Sequence, residues 1–315
     1  MSLSVIQPGL LSLLQDRGRF GQQRIGLTTG GPVDPEAFTL CQRLLDNDHN
    51  TTLLEVSFGG LVLRAEVDTR LCVTGAALPL RINGQTRALW RVHRVCAGDE
   101  IALDFSGADT GGCRAYLGVA GGFSVAPRFG STATVPREHI GGLHGDKLQP
   151  GDVLPCARDT AGPLRYLPDE QQPRYDEDLS LRVIPGYQQA HFSTLEQHRF
   201  FSGEYRVSER CDRMGYRLEG PAIACDIDGI LSEGLSFGAI QIPADGQPIV
   251  LLNDRQTIGG YPKIGAALSL DAARLAQRTA GTTLRFTPIT VEQAHNALHL
   301  AHYRLQHLPL PEYRE

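Results

Sequence analysis

Short apolar runs broken by glycine and proline recur along the whole chain. LEVSFGGLVLRAE (54–66) and TRLCVTGA (69–76) alternate between apolar and polar residues, or stay apolar, over the length of a strand, as half-buried and buried strands do. In GAIQIPADGQPIVLLN (238–253), the pair Asp245-Gly246 separates two apolar runs, which is typical of a hairpin. The pattern predicts a mainly β chain.

Three segments have the apolar spacing of a helix. The first, PEAFTLCQRLLDN (35–47), follows Asp34 as N-cap and starts with proline. The second is LDAARLAQRTAG (270–281), which we expect to end near Gly281. The third begins with a capping box, Thr290 to Gln293, and has an apolar stripe. That stripe consists of Val291, Ala294, Leu298, Ala301 and Leu305.

The chain also divides into two halves that begin alike. LSVI (3–6) is followed by QPG, and LRVI (181–184) is followed by PG; each half later has an Arg/Gly cluster. Between the halves, residues 164–179 are polar and acidic and are interrupted twice by proline, as in a linker or a surface excursion. We therefore predict two tandem domains of related structure, 1–175 and 176–315.

Composition narrows the class of protein. A chain of 315 residues with 41% apolar and 21% charged residues has the make-up of an ordinary globular protein with two cores. The net charge of −5 offers no basic surface to nucleic acid. No apolar run approaches the roughly 18 residues of a membrane span, and the first residues lack a signal-peptide pattern. We predict a cytoplasmic protein that binds neither nucleic acid nor a membrane.

Several familiar sites are missing from the sequence. It contains no phosphate-binding G-x-x-x-x-G-K-[ST] loop and no G-x-S-x-G nucleophile elbow. Seven cysteines without a C-x-x-C spacing argue against a disulfide framework or a zinc site. Three histidines of the last predicted helix (His295, His299 and His302) suggest a metal pair by spacing, but they border the apolar stripe and have no acidic partner nearby. We predict no metal site.

What remains is a set of polar residues beside glycines at predicted strand ends. Arginine forks bind carboxylate or phosphate at two points, carboxamides and Asp bind an amide or a urea-like group, and paired glycine N–H groups can bind an anion. Such a set suits a small polar molecule, although a salt-bridged barrel rim uses the same residues. The candidates are Arg210, Asp212, Arg213, Gln241, Gln247, Asp254, Thr257, Gly259, Gly260 and Tyr261.

Six stretches together resemble the allophanate hydrolase subunit 2 family, which includes the C subunit of bacterial 5-oxoprolinase, the antagonist of a sporulation-kinase inhibitor, and the carboxyltransferase domain of urea carboxylase. They are SLLQDRGRFGQQRIGLTTGGPVD, LLEVSFGGLVL, CVTGA, YLGVAGGF, ERCDRMGYRLEG and GAIQIPADGQPIVLLNDRQTIGGYPKIG. Cys211 and Asp212 stand where the family usually has Ser and Asn, and Arg17 replaces a glycine. These departures bear on substrate preference.

The resemblance implies two tandem cyclophilin-like β-barrels with few helices. For a separate chain of this length it also implies membership of an ATP-dependent 5-oxoprolinase complex, which hydrolyses 5-oxo-L-proline to L-glutamate together with its A and B subunits. The complex would consume ATP with Mg²⁺, and this chain has no biotin attachment sequence. Arg213 and Asp254 are the expected catalytic residues, and the other eight candidates the expected substrate-binding residues.

Two other functions stay open. One is a biotin-dependent carboxyltransferase component acting on a urea-like amide, and the other is a non-catalytic regulator of a kinase inhibitor. Association of several copies of the chain also stays open.

Overall fold

Residues 1–105, 107 and 111–314 are described by a computed structural model, and they divide into two units. The first contains residues 1–20 and 30–176 and the chain from Leu308 on; the second contains 21–29 and 177–307. This grouping differs from the predicted division into 1–175 and 176–315 at residues 21–29, at Asp176 and at the residues from Leu308 on.

The first unit is built from eleven described strands. They are β1 (Ser2–Pro8), β2 (Leu11–Gln15), β3 (Leu53–Ser57), β4 (Leu61–Ala65), β5 (Thr69–Gly75), β6 (Leu80–Ile82), β7 (Gln85–Arg87), β8 (Val92–Val95), β9 (Glu100–Leu103), β10 (Arg114–Val119) and β11 (Val153–Pro155). They form a six-stranded sheet, β11-β1-β4-β9-β6-β7, and a five-stranded sheet, β2-β3-β10-β5-β8. Apolar residues of both sheets share one buried core, which holds the sheets face to face.

Among the described residues of the first unit, one α-helix is present, and it begins as the sequence predicts. Helix α1 (Pro35–Leu45) starts after Asp34, whose carboxylate accepts a hydrogen bond from the backbone N–H of Ala37. Its buried face packs on β5 and β10, with the Phe38 and Tyr116 rings in edge-to-face contact.

A late segment of the chain closes one edge of the first unit. The Tyr166 N–H donates to the Pro311 carbonyl at 3.0 Å, and the Tyr313 N–H donates to the Leu164 carbonyl at 2.9 Å. The Arg91 guanidinium lies over the rings of Tyr166 and Tyr313, 5.1 and 4.3 Å from their centroids. The predicted linker is therefore anchored at its start, where Leu164 and Leu167 are buried.

The second unit is a closed barrel of seven strands. Its strands are β12 (Leu179–Pro185), β13 (Glu204–Cys211), β14 (Gly215–Glu219), β16 (Ala239–Gln241), β17 (Ile249–Leu251), β19 (Lys263–Ala267) and β20 (Thr283–Pro288); β15 (Glu233–Gly234) and β18 (Ile258–Gly259) pair outside the barrel. The order around the barrel is β12-β19-β16-β17-β14-β13-β20. The predicted hairpin at Asp245-Gly246 joins β16 to β17, and Gly246 has the positive φ that such a turn uses.

Three helices belong to the second unit: α2 (Thr194–Ser202), α3 (Ser269–Leu275) and α4 (Val291–His307). The capping box of α4 is present, because Thr290 and Gln293 exchange side-chain to backbone hydrogen bonds. The predicted end of α3 near Gly281 is wrong, since the helix ends at Leu275. Beyond that end, the Tyr216 hydroxyl lies within hydrogen-bond distance of the carbonyls of Ala276 and Arg278, 3.1 and 3.0 Å away.

The prediction of a mainly β chain with few helices is confirmed. No helix in the described part of the chain is long and apolar enough to cross a membrane.

Candidate functional site

The candidate site is a corner of the second unit where several loops leave the barrel. Asp254 follows β17, and Arg213 lies in the tight turn between β13 and β14. Asp212 fixes that turn, because its carboxylate accepts from the N–H groups of Met214 and Gly215 at 2.7 and 3.2 Å. Both of these hydrogen bonds lie within the turn, so the Asp212 carboxylate stabilises the turn itself.

Arg213 and Asp254 form a two-point ion pair. Nε and Nη2 of Arg213 donate to the two carboxylate oxygens of Asp254 at 2.9 and 3.0 Å, and the side chains are only 4% and 5% exposed. The Asp254 N–H also donates to the Arg213 carbonyl at 2.9 Å. The planar fork that the sequence offers to a ligand is thus engaged by a carboxylate of the chain itself, and the pair fixes the corner.

Arg255 extends the corner to β15. Its guanidinium donates to the carbonyls of Leu235 and Leu252 at 3.0 and 3.1 Å. Burial lowers the pKa of Arg255, and the negative charge of Asp254 opposes that shift. Because the Leu235 N–H donates to the Thr257 carbonyl, the chain around Leu235 is held against the segment that leads to Gly259.

Gln241 and Gly259 meet inside this corner. Gln241 is only 5% exposed, and no described residue hydrogen-bonds to its carboxamide. A Cβ on Gly259 would lie 2.9 Å from the Gln241 amide nitrogen and 2.9 Å from the Leu235 Cδ1. The glycine is therefore required by space beside the carboxamide rather than by a left-handed backbone, since its φ is not positive.

A charged cluster that the sequence reasoning missed adjoins these two residues. The Lys263 ammonium and the Tyr187 hydroxyl both contact the Glu233 carboxylate, and the Gln188 amide donates to it at 2.8 Å. The side-chain oxygen of Gln188 accepts from the backbone N–H of Lys263 at 2.8 Å. The hydrogen bonds from Lys263, then Tyr187, lower the pKa of Glu233, so the carboxylate stays ionised.

Three further candidates line the outer part of the corner. Gly260 accepts a hydrogen bond from the Ile230 N–H through its carbonyl, Thr257 is half-buried, and Tyr261 is 48% exposed. All three belong to the segment that includes β18.

Arg210 and Gln247 lie elsewhere on the barrel. Both line a surface groove of about 740 Å³ together with residues of β13 and β14. Gln247 exchanges two hydrogen bonds with the backbone of Gly220, and Arg210 adjoins the charged residues Glu209, Arg217 and Asp245 in the groove. Nine of the ten candidates therefore fall into a buried ion pair, a corner around Gln241, and this separate groove, and the tenth, Asp212, holds the turn that carries Arg213.

In the first unit, the stretch that carries much of the family resemblance is a buried polar framework. Arg19 is fully buried and donates to the carbonyls of Arg128 and Ala133 at 2.9 and 3.0 Å. The Asp16 carboxylate accepts from the Ser131 hydroxyl at 2.5 Å and from the Thr132 N–H at 2.8 Å. These contacts join the QDRGR segment to residues 128–133 of the same unit.

Metal ligands do not cluster in the described part of the chain: no group of three His, Cys, Asp or Glu side chains is placed to hold an ion. The histidines of α4 are exposed, and the His302 ring contacts Gln306.

The chain matches a known family and several named proteins. The family model for the carboxyltransferase domain, subdomain A and B, matches residues 25–288. The C subunits of 5-oxoprolinase from Escherichia coli K12 and Haemophilus influenzae are each 34% identical, over 93% and 89% of both chains respectively.

A solved structure shows the same fold. The Kluyveromyces lactis urea amidolyase superposes with a TM-score of 0.89 over all of this chain at 24% identity. The chain spans only a fifth of that larger protein. The predicted mainly β fold with few helices is confirmed by this agreement, and the closed barrel is that of the second unit.

Proposed function

Because this chain belongs to the carboxyltransferase domain family, we propose that it is the C subunit of an ATP-dependent 5-oxoprolinase. The complex hydrolyses 5-oxo-L-proline to L-glutamate, and the A and B subunits are its other components. The supporting observation is the match to the C subunit of the E. coli 5-oxoprolinase, which covers 93% of each chain.

The reaction explains why ATP and several subunits are needed. The ring of 5-oxoproline is a lactam stabilised by amide resonance, and a phosphoryl group from ATP activates its carbonyl before water attacks. With no phosphate-binding loop in its sequence, this chain contributes substrate binding in the proposal, and the nucleotide is assigned to its partners. The complex operates in the cytoplasm, where ATP is supplied.

The corner of the second unit supplies the proposed binding groups. The carboxamide of Gln241 faces the amide of the substrate, and Gly259 and Gly260 leave room for it. The Arg213–Asp254 pair positions this corner from within the unit. We propose that Asp212, Thr257 and Tyr261 border the site, and that Arg210 and Gln247 form a second, outer contact in their groove.

Reconstitution tests this function. The purified chain, the A and B subunits, and the three together are assayed for L-glutamate and inorganic phosphate released from 5-oxo-L-proline and MgATP. We expect no turnover by this chain alone and ATP-dependent turnover by the three together, with the mixture lacking this chain as the control. Turnover by the single chain, or none by the complete mixture, contradicts the proposal.

A second function is favoured by the description of the matching family, which is a carboxyltransferase domain. In that case the same corner binds a urea-like amide that receives a carboxyl group from biotin on another chain. The two functions are separated by adding biotinylated carrier, biotin carboxylase, bicarbonate and urea in place of the A and B subunits. Urea-dependent consumption of ATP in that mixture favours the carboxyltransferase.

A further inference from the structure

The corner around Gln241 contains a carboxamide that makes no hydrogen bond within the described part of the chain. A carboxamide has two N–H donors and a carbonyl acceptor, yet that of Gln241 has no hydrogen-bond partner among the described residues at 5% exposure. Neither its nitrogen nor its oxygen is a fully buried unpaired atom, so the carboxamide reaches solvent and is open to a ligand. A ligand that offers one hydrogen-bond donor and one acceptor side by side can pair with the Gln241 carboxamide.

Lys263 is placed beside this carboxamide by strand pairing. Gln241 in β16 lies opposite Lys263 in β19 in the antiparallel ladder, and directly paired residues project from the same face of a sheet. Gly259, next to the Gln241 amide nitrogen, pairs with Glu233, and Glu233 contacts Lys263. Three independent contacts thus bring the carboxamide, the glycine and the ammonium to one place.

Glu233 fixes the ammonium without using all of its donors. An ammonium group has three N–H donors, and the contact with Glu233 engages one of them. Its nitrogen lies 5.8 Å from the centroid of the Tyr187 ring, and its side chain is 11% exposed. The Glu233 carboxylate is shared among Lys263, Tyr187 and Gln188, so Glu233 is a positioning residue for a cation that still has donors to offer.

We propose that Lys263 and Gln241 form a two-point site for a small molecule that has a carboxylate next to a ring amide. The carboxamide of Gln241 pairs with the cis N–H and C=O of the lactam through two parallel hydrogen bonds. The ammonium of Lys263 binds the carboxylate on the adjacent ring carbon. The identity of the ligand as 5-oxo-L-proline depends on the proposed function; the two-point site follows from the corner itself.

Two probes separate the contacts. 5-oxo-L-proline has both the lactam and the carboxylate, and 2-pyrrolidinone has the same ring without the carboxylate. Dissociation constants of both are measured on the full chain by titration calorimetry, and KM for 5-oxo-L-proline on the reconstituted complex. Lys147→Met is the matched control, because Lys147 is the other lysine of the sequence and lies exposed in the first unit.

Lys263→Met removes one charge-assisted hydrogen bond. The dissociation constant of 5-oxo-L-proline should therefore rise about 10- to 100-fold, and that of 2-pyrrolidinone should stay within about twofold of the wild-type value. Gln241→Leu should weaken the binding of both probes, and Lys263→Arg should keep much of the affinity for 5-oxo-L-proline. A folding defect lowers both affinities together, so the ratio between the probes reports the carboxylate contact. Lys147→Met should change neither.

The outcomes distinguish this inference from the proposed function. If the complex turns over 5-oxo-L-proline but Lys263→Met changes both probes equally or neither, the two-point site is wrong and the function stands. If the complex is inactive but the chain binds the probes with the expected pattern, the function is wrong and the site stands. A wild-type chain and complex that bind neither probe overturn the inference.

Discussion

Arg213 and Asp254 are joined by two hydrogen bonds in which both side chains are about 95% removed from solvent. The guanidinium and the carboxylate neutralise each other at a place where water hydrates neither charge. Removing one partner leaves a buried, uncompensated charge, whereas removing both does not.

The first prediction concerns this pair. Arg213→Ala and Asp254→Asn should each lower the free energy of unfolding by about 3–5 kcal/mol, and Arg213→Leu with Asp254→Leu should cost less than the sum of the single changes. Urea unfolding followed by circular dichroism measures these changes. Arg285→Ala, which removes an exposed pair with Glu204, is the control and should cost no more than about 1 kcal/mol. Equal losses for Arg213→Ala and Arg285→Ala contradict the prediction.

The second prediction uses Gly259. Alanine there places a Cβ against the Gln241 amide, so the carboxamide is displaced and KM for 5-oxo-L-proline should rise about tenfold, the equivalent of one lost hydrogen bond. Gly234→Ala in the paired strand is the control, because its Cβ meets nothing within 4 Å. The measurement is steady-state kinetics of the reconstituted complex. An unchanged KM for Gly259→Ala would contradict the prediction, because it would show that Gly259 does not border the binding site.

The third prediction is a pH dependence in the first unit. Buried Arg70 donates to both carboxylate oxygens of Asp159 at 3.2 and 3.1 Å, and these bonds lower the pKa of Asp159. A lowered pKa stabilises the folded state above the ordinary pKa of aspartate, and that stabilisation is lost as the pH falls through the folded-state value. Unfolding free energy should therefore fall as the pH drops from about 5 towards 2.

Asp159→Asn should remove that contribution and cost about 1–3 kcal/mol at pH 7, less than for a fully buried pair because Asp159 is 35% exposed. Fluorescence of Trp90, the single tryptophan of the sequence, reports this unit because Trp90 is buried in it. Glu204→Gln, an exposed change in the other unit, is the control. A pH profile of Asp159→Asn identical to that of the wild type rejects the prediction.

The fourth prediction concerns Tyr116. Its hydroxyl donates to Glu55 at 2.7 Å and accepts from the Asp34 N–H at 2.8 Å, all in the interior. Tyr116→Phe should lower the stability of the first unit by about 1–3 kcal/mol, because two buried groups lose their partner. Tyr303→Phe, at a position 63% exposed, should have no measurable effect. Trp90 fluorescence in urea compares the two, and equal stability contradicts the prediction.

Local patterns predicted most of the fold. Capping residues such as Asp34 and Thr290 determine where helices begin, and their partners lie within three residues, so the sequence alone reveals them. The sequence pattern does not predict helix α2, because only Glu196 and Phe200 of its nine residues are buried and it therefore has no apolar stripe. Helix α3 ends at Leu275, where the next carbonyl, that of Ala276, is contacted by Tyr216, sixty residues away in the sequence; a local apolar pattern does not reveal such a contact.

The site was only partly predictable for the same reason. Arg213, Asp254, Gln241 and Gly259 stood out as polar or glycine residues at strand ends, but residue type does not reveal that the arginine fork already has an internal partner. Lys263 contacts Glu233 and Gln188, which lie 30 and 75 positions away in the sequence. A scarcity of lysine was the one available signal, since only two occur in the sequence.

The closing of the first unit by Tyr313 and Pro311 has a consequence for synthesis of the chain. Ribosomes make residues 177–307 between the body of this unit and the segment that completes its edge. Until Pro311 and Tyr313 have been synthesised, Tyr166 and Leu164 lack their backbone hydrogen-bond partners. Arg91 likewise lacks the Tyr313 ring. The unit whose synthesis starts first is therefore the one that finishes folding after the other has been fully translated.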